Sequence, residues 1–562
     1  MYTIRMPSGE FLQGEINIQF DLNNQVFDAS SGDAVPGSYT FPVELSMASP
    51  ENRRLLENPH LVTNASARIR PFVWVHLYGQ ALFYGQMTIR SADHKKASVD
   101  VVANPMKDMR SVGLNELDLG GARAIGGSAA MLTHAKDTTA NPLDYDYVFA
   151  PVYSPSFLAT PTSDVRCRFQ NYWNRSSSVF EVGHDFPAFM PFPRVEYLLE
   201  KIFSGIDFTF ENRFQVDEET RRLLVYSAAS MWTKDGLPTS INLQNHVSKT
   251  KSTEWLKKLM RVFNLGLFTN IFSRKISLVP LRDLINRPAV RDWSQYAIGP
   301  YKVEATTAAD YLAFAEDSDD GVFARYPNQN GKPLLYQGEI EKLEELDTGG
   351  PFDPGVYFVK ARHSYYYAPN PGAAPYVFAY TELGRAPVRT GEAVELPMPP
   401  LFDHQPSIIS SLTDVWGGNI AWIERPGAVS YLQAGEEVKQ EGDTPDRLLW
   451  YRGMQLNPYG GLCPLCASLP YDGADTLIDQ YSLRINGDRG LYAKWWGAWH
   501  QMLRNGKPIT QQFALPVSEL LSFSFEDKIR VSNMDYFCRR LQVGKPLGFG
   551  KVLVEASMIS TI

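Results

Sequence analysis

The sequence predicts a multidomain, mainly β protein with an α+β insert, and three observations carry that prediction. Aromatic residues are abundant (31 Phe, 28 Tyr and 11 Trp in 562 residues), and 41 Gly with 38 Pro punctuate the chain, a composition of many short strands and turns. Apolar and polar residues alternate near the N-terminus, again beyond residue 291, and again after 440, the period of half-buried strands. Between the first two of these regions, two segments switch to the spacing of amphipathic helices. At about 150 residues per domain, the length suggests three to five domains.

Charge and cysteine content narrow the function. Fifty-four Lys+Arg against 62 Asp+Glu give a formal charge of −8, which argues against a general nucleic-acid binder. Four cysteines are too few for a disulfide framework. No apolar run reaches the roughly 18 residues of a membrane span, and Met1–Phe11 lacks the layout of a signal peptide.

Residues 1–115 read as a first small β-barrel. Ile16, Ile18, Phe20 and Leu22 alternate with polar neighbours. Tyr39–Leu45 is extended around Pro42, which suits an edge. Ser49-Pro50-Glu51 opens a helical turn, Phe72–Leu77 and Ala81–Ile89 flank the turn residues Tyr78-Gly79-Gln80, and Ser98–Ala103 adds a strand. Residues 116–192 lose periodicity. The pattern fades from Gly113 to about Pro161, and the glycines and alanines there predict an extended arm or insertion over 116–192. Residues 193–290 form the α+β part. Val195, Leu198, Leu199, Ile202 and Phe203 share a helical face between Pro193 and Gly205, and Glu254–Phe263 is a second helix. EYLLEKIFSGIDFTFEN (196–212) and EWLKKLMRVFNLGLFTN (254–270) align without a gap as a weak internal repeat. A hairpin, Leu267–Phe272 with Lys275–Leu281, turns at Ser273-Arg274. Residues 291–400 read as a second barrel, with strands at Val356–Val359, Ser364–Tyr367 and Tyr376–Tyr380. Glu395–Pro406 is Pro-rich and reads as a stiff linker. Residues 401–562 are a β-rich C-terminal domain with strands at Leu448–Tyr451, Tyr481–Ile485, Ile509–Leu515, Lys528–Val531 and Lys551–Ser557. One helix interrupts them, with Leu491, Trp495, Ala498, Trp499, Met502 and Leu503 on one face.

The search for catalytic chemistry returns no zinc helix, nucleophile elbow, phosphate loop or dinucleotide fingerprint, so no catalytic residue and no cofactor is assigned. Cys463-Pro-Leu-Cys466 is the sharpest motif. It supplies two of the four ligands a structural zinc needs, so Cys463 and Cys466 are weak metal candidates, with a structural role the leading alternative and a redox role behind it. Cys466 with His500 could meet only through the fold. Glu316–Gly321 starts like a calcium loop, but Pro327 stands where the bidentate Glu belongs, leaving a solvated acidic turn. Tyr365-Tyr366-Tyr367 and Trp495, Trp496 and Trp499 could stack on sugars, with core packing the commoner role for such stripes.

FDLNNQVFD followed by YTFPVELSMASPENRRLLENP (ending at Pro59), PRVEYLLEKIFSGIDFTF, KSTEWLKKLMRVFNLGLFTN and LPVSELLSFSFEDKIRVSNMDYFCRRL together resemble structural tail proteins of phages and prophages of Bacteroidetes-type hosts. The order of barrels and helix–strand units resembles the tail-hub family. That resemblance implies two similar barrels per chain, a homotrimer whose six barrels match a six-fold tail tube, and a channel for the tape measure protein and later DNA. It implies a distal tail or tube protein and a spike or fibre protein as partners, and a place at the virion tail tip after assembly in the host cytoplasm. Sequence-specific nucleic-acid binding, a membrane span and an appended enzyme are not expected. A distal tail ring or baseplate protein, or a carbohydrate-binding tail-tip module for host adsorption, is the alternative.

Overall fold

The computed structural model describes residues 2–561 apart from 13–19, 24–38, 61–70, 104–111, 161–163, 207, 271–273, 305–310, 316, 318, 321–327, 330–331, 334–335, 343–344, 347–352, 354, 363, 369–380, 385–392, 405–419, 434–435, 458–459, 473–475 and 486. The chain is mainly β and multidomain. Its largest sheet has 13 strands and draws on both ends of the chain.

That sheet contains the same strand order twice. The first unit comprises strands Phe20–Asn23 and Tyr39–Ser46, the short helix Pro50–Leu55, and strands Phe72–Leu77, Gln80–Ala92 and Lys96–Ala103. The second comprises strands Ala297–Val303 and Pro508–Pro516, the short helix Val517–Leu521, and strands Lys528–Val531, Met534–Gly548 and Lys551–Ser560. In each unit the second strand pairs antiparallel with the last, the last with the long strand before it, and that strand with its own predecessor. The first strand pairs with the second in both. Both units turn between their third and fourth strands on two residues with positive φ, Tyr78-Gly79 (50° and 80°) and Ser532-Asn533 (48° and 68°). That geometry matches the right-handed twist of a hairpin.

Local chemistry accounts for these elements. Ser49 caps the first short helix by accepting from the Asn52 N–H, and Pro50 stands where a missing N–H costs nothing. Tyr39–Ser46 pairs along its length with Lys96–Ala103 but meets Phe20–Asn23 only at Asp21↔Thr40. In the sheet order this strand stands between those two, so Pro42 is not on a terminal strand. Val43, Leu45, Val73, Val75, Val99 and Val101 of the first unit share one buried core with Phe513, Leu515, Leu541, Val543, Val552 and Val554 of the second.

The segments between the units build the other sheets and cores, and Phe268, Val279 and Leu281 among them join the core of the duplicated sheet. Both predicted helices are present, Val195–Phe203 and Ser252–Val262, and the five apolar residues expected on one face of the first are buried. Each is followed by a strand, Thr209–Asn212 or Leu265–Asn270. The two strands flank Lys275–Pro280, one parallel to it and one antiparallel. An eight-stranded sheet gathers Tyr153, Phe169, Trp422 and Phe402 at one end and Gly355–Val359 with Tyr336–Ile340 at the other.

Several expectations change. The 116–192 segment is not an extended arm: Leu117, Leu119, Met131, Ala135, Tyr147, Phe149 and Phe180 lie in the largest core. Helix Ser128–Ala140 escapes sequence periodicity because small residues, Ala135, Thr138 and Thr139, form much of its buried face. The strands of 291–400 do not make one barrel. Ala297–Val303 joins the C-terminal strands, while Tyr336–Ile340, Gly355–Val359, Ser364–Ala368 and Thr381–Gly384 belong to the eight-stranded sheet. The Pro-rich stretch is no linker, since Ala393–Leu396 pairs with Tyr311–Phe314 and Met398, Leu401 and Phe402 are buried. Tyr481–Ile485 is irregular, and Leu462–Ala467 and Met534–Gly548 are unanticipated strands. Residues Ile16 and Ile18, Tyr376–Tyr380, Pro327 and the end of the Pro-rich stretch lie outside the described residues.

Candidate functional site

Cys463 and Cys466 lie on one strand, Leu462–Ala467, three residues apart, and so face opposite sides of it. Cys463 packs with Leu465 and Trp450, and Cys466 with Leu224, Tyr226 and Tyr451 in a different core. One ion cannot bridge those faces. Burial pushes the Cys463 thiol up to about 11 and the Cys466 thiol higher still, the opposite of what a nucleophile or ligand needs. None of the four cysteines is in a disulfide and all are buried, and the described residues hold no cluster of three or more His, Cys, Asp or Glu placed for a metal. His500 turns its ring to Tyr492, with Nδ1 3.2 Å from the hydroxyl.

The tryptophans pack inside. The segment carrying them starts as a π-helical turn, Tyr492–Trp496, and continues as helix Gly497–Asn505. Trp495 sits among Phe214, Phe263 and Tyr481, with the Arg282 guanidinium 3.9 Å over its ring, and Trp496 donates to the Val262 carbonyl. Trp499, one turn on, belongs to the core of the 13-stranded sheet beside Phe537. The helix thus ties the central body to the duplicated sheet. Tyr365–Tyr367 lie on strand Ser364–Ala368; their side chains are outside the described residues.

Two buried ion networks went unseen in the sequence. Two carboxylates of the acidic turn point inward while Asp319 stays exposed: Asp317 and the fully buried Asp320 bind the buried Arg447 at 3.0 and 2.7 Å, and Asp317 also holds Arg425. Burial raises the Asp317 pKa, but the Arg447 and Arg425 charges outweigh it and hold the carboxyl below its usual range. Five residues along, Arg452 reaches Glu219 at 3.0 Å, Asp479 at 3.1 Å and the carbonyls of Ala467, Ser468 and Tyr481. Burial lowers the pKa of both arginines and raises that of Glu219. The partners come from distant parts of the chain, so no local pattern announces them. Each carboxylate is occupied by its arginine, and these are the ties of a rigid scaffold rather than a reaction centre.

The exposed apolar residues point instead to assembly. On strand Phe72–Leu77 the inward residues Val73 and Val75 are buried, yet the outward Phe72 and Trp74 are apolar too. Tyr84 of the adjoining strand stacks on Phe72 at 5.5 Å and lies tilted against Trp74 at 4.6 Å, and Phe11 meets His76 edge-on. At the other end of the sheet, all seven residues of Ala297–Val303 are exposed, among them Ile298, Tyr301 and Val303. Phe549 is fully exposed at a hairpin tip between Gly548 and Gly550, with φ of 50°. Apolar surface arranged as an aromatic cluster, an open strand edge and a protruding tip is the form of a contact surface.

No protein-family model matches the chain, and no curated relative matches it. Among solved structures it is similar to the 43 kDa tail protein of prophage MuSo2 from Shewanella oneidensis, with 7% identity and a TM-score of 0.32, covering 99% of this chain and 97% of that one. It is similar to a tail protein from Neisseria meningitidis MC58, with 7% identity and a TM-score of 0.32, covering 99% and 95%. The E. coli c3393 protein, described as a type VI secretion component with structural similarity to T4 bacteriophage tail proteins gp27 and gp5, follows at 10% identity and a TM-score of 0.23, covering 82% and 99%. Superpositions at these scores do not establish a common fold.

Proposed function

We propose that the chain is a structural tail protein of a phage or phage-derived particle, a hub whose copies form a ring, with a homotrimer as the assembly. The observation that carries the reading is the duplicated unit. One chain holds two units of the same strand order, joined head to tail in a single sheet, so three chains would present six. Six near-equivalent units suit a six-fold tube above, and three chains suit a three-fold spike below. The four tail-protein-like sequence patches fall on structurally important elements, two on the helix–strand units and two within the duplicated units. In this reading the partners are the distal tail or tube protein, the tape measure protein and a spike or fibre protein. The chain sits at the virion tail tip, assembled in the host cytoplasm, and works by shape rather than turnover. No helix among the described residues is long and apolar enough to cross a membrane.

Phe72, Trp74 and Tyr84 favour a second reading, a carbohydrate-binding tail-tip module, because outward stacked aromatics suit sugar rings. Mass photometry of the purified full chain separates the two. The hub reading expects a particle of three times 63.3 kDa without added glycan. A monomer that binds spots on a glycan array overturns it.

A further inference from the structure

The two units carry hairpins at matching places, so each shows what the fold requires of the other. Between the third and fourth strands, unit one turns at Tyr78-Gly79 and unit two at Ser532-Asn533. On the strand before that turn, the face away from the core carries Phe72 and Trp74 in unit one, but Lys528 and Arg530 in unit two. Between the fourth and fifth strands the chemistry reverses. Unit one turns on Asp93, His94 and Lys95, and unit two on Gly548, Phe549 and Gly550. Polar residues close each kind of hairpin once, so neither turn needs an apolar tip in order to fold.

The two apolar tips come together. The Gly548 N–H donates to the Tyr78 hydroxyl at 3.3 Å, which brings the tip of unit one against the tip of unit two. Tyr78, Leu547 and Phe549 are all exposed there, Phe549 fully. Phe549 also holds a φ of 50°, a left-handed conformation that Gly or Asn adopts at lower cost. A side chain that packs on nothing and strains its own backbone is not explained by the hairpin that carries it. Register shifts between Val543 and Pro546 and between Pro546 and Gly548 break the ladder at this end, so the tip offers side chains rather than a strand edge. From Leu541 to Val554 the charged residues are Lys545 and Lys551, one on each strand behind the tip and both exposed. The neighbouring hairpin carries no Asp, Glu, Lys or Arg from Pro71 to Ile89.

We infer that the paired tips touch the interface of an anionic lipid bilayer, with Phe549 and Leu547 entering the acyl boundary, Tyr78 at the level of the headgroups, and Lys545 and Lys551 against the lipid phosphates. The occupant follows from charge and layering. An apolar point backed by two lysines and no carboxylate complements such a surface in both of its layers, hydrocarbon below and negative charge above. The complement is local, since the chain as a whole carries a formal charge of −8 and an anionic surface repels the rest of it. The tip therefore sets the orientation of approach. Three side chains make a shallow, reversible contact, and several copies on one particle multiply it. The inference goes beyond the tail-tip reading and does not require the ring.

Vesicle flotation of the full chain tests it. Wild type should float with vesicles of equal parts phosphatidylglycerol and phosphatidylcholine, and at least about tenfold less with phosphatidylcholine alone. Phe549→Asn should weaken partition into the anionic vesicles about tenfold or more, with a melting point at or above that of wild type because Asn suits the left-handed turn. Lys545→Gln/Lys551→Gln should also weaken it about tenfold, and that variant should lose the salt dependence wild type shows. A wild-type chain that floats with neither vesicle, or whose flotation survives Phe549→Asn, overturns the inference. If wild type ignores vesicles and Phe549→Asn lowers the particle mass in mass photometry, the tip is a contact between protein copies instead. A trimer that ignores vesicles overturns the lipid contact and leaves the hub reading standing, whereas a monomer that floats through Phe549 supports the contact and overturns the hub.

Discussion

Replacing Arg452 with Met should destabilise the central body more than any substitution on its surface. Methionine fills much of the same space but removes a guanidinium that is fully buried and hydrogen-bonded to two carboxylates and three carbonyls. Breaking a buried pair on one side costs about 3–5 kcal/mol, because the other charge stays behind without its partner. The surroundings place this site at the lower end. Glu219 keeps the N–H groups of Gln480 and Tyr481, both at 2.8 Å, and Asp479 keeps Arg222 at 3.0 Å. The expected loss is therefore about 3 kcal/mol at neutral pH. Burial already raises the Glu219 pKa; without Arg452 it rises further, so acidification lets the residue become neutral and the deficit against wild type narrows. Adding Glu219→Gln to Arg452→Met should restore part of the stability, a coupling that a double-mutant cycle measures. The assay is urea unfolding followed by tryptophan fluorescence, since the Arg452 guanidinium lies 5.4 Å over the Trp450 ring. An Arg452→Met variant with the wild-type midpoint, or a double variant weaker than the single one, would refute the account of this network.

Other expectations concern burial and close packing. His246 is buried against Ser227, and desolvation pushes its pKa down to about 4. It folds neutral, so its contribution is complete above the unfolded value of about 6.5 and is lost at about 1.4 kcal/mol per pH unit as pH falls towards 4. Thermal melts of wild type and His246→Gln should converge across that window, and parallel curves would contradict it. Gly427→Ala drives a methyl into the Phe157 ring and should destabilise by about 1–3 kcal/mol; a melting point equal to wild type would show that the loop yields. Native protein should leave Ellman's reagent unreacted at all four buried thiols until denaturant is added, and a chelator should not change its melting point. Trp74→Ala should leave the melting point nearly unchanged, because the side chain is outward. Loss of glycan binding in that variant would support the carbohydrate reading.

What the sequence conveyed was periodic and local. Helix Val195–Phe203 was legible from five apolar residues, and the Tyr78-Gly79 hairpin from its turn chemistry, because each depends on neighbours a few positions away. The second unit was not legible. Its first strand and its remaining strands are separated by 204 residues, from Val303 to Pro508, and equivalent positions share only their apolar alternation. Helix Ser128–Ala140 was hidden by the small residues on its buried face. The Cys463–Cys466 pair misled because its Gly/Pro-rich surroundings suggest a loop, whereas the strand there sends the two thiols to opposite sides. The candidate contact surface was least legible of all: exposed Tyr301 and Trp74 look like ordinary strand residues until the sheet shows which edges and faces are uncovered.

The central claim is that two like units per chain build a closed ring. Negative-stain microscopy of the native assembly tests it most directly through rotational symmetry. A threefold ring with six similar lobes is the predicted result. A sixfold ring of whole chains would transfer the protein to the distal ring of a tail, and a monomer would contradict the account.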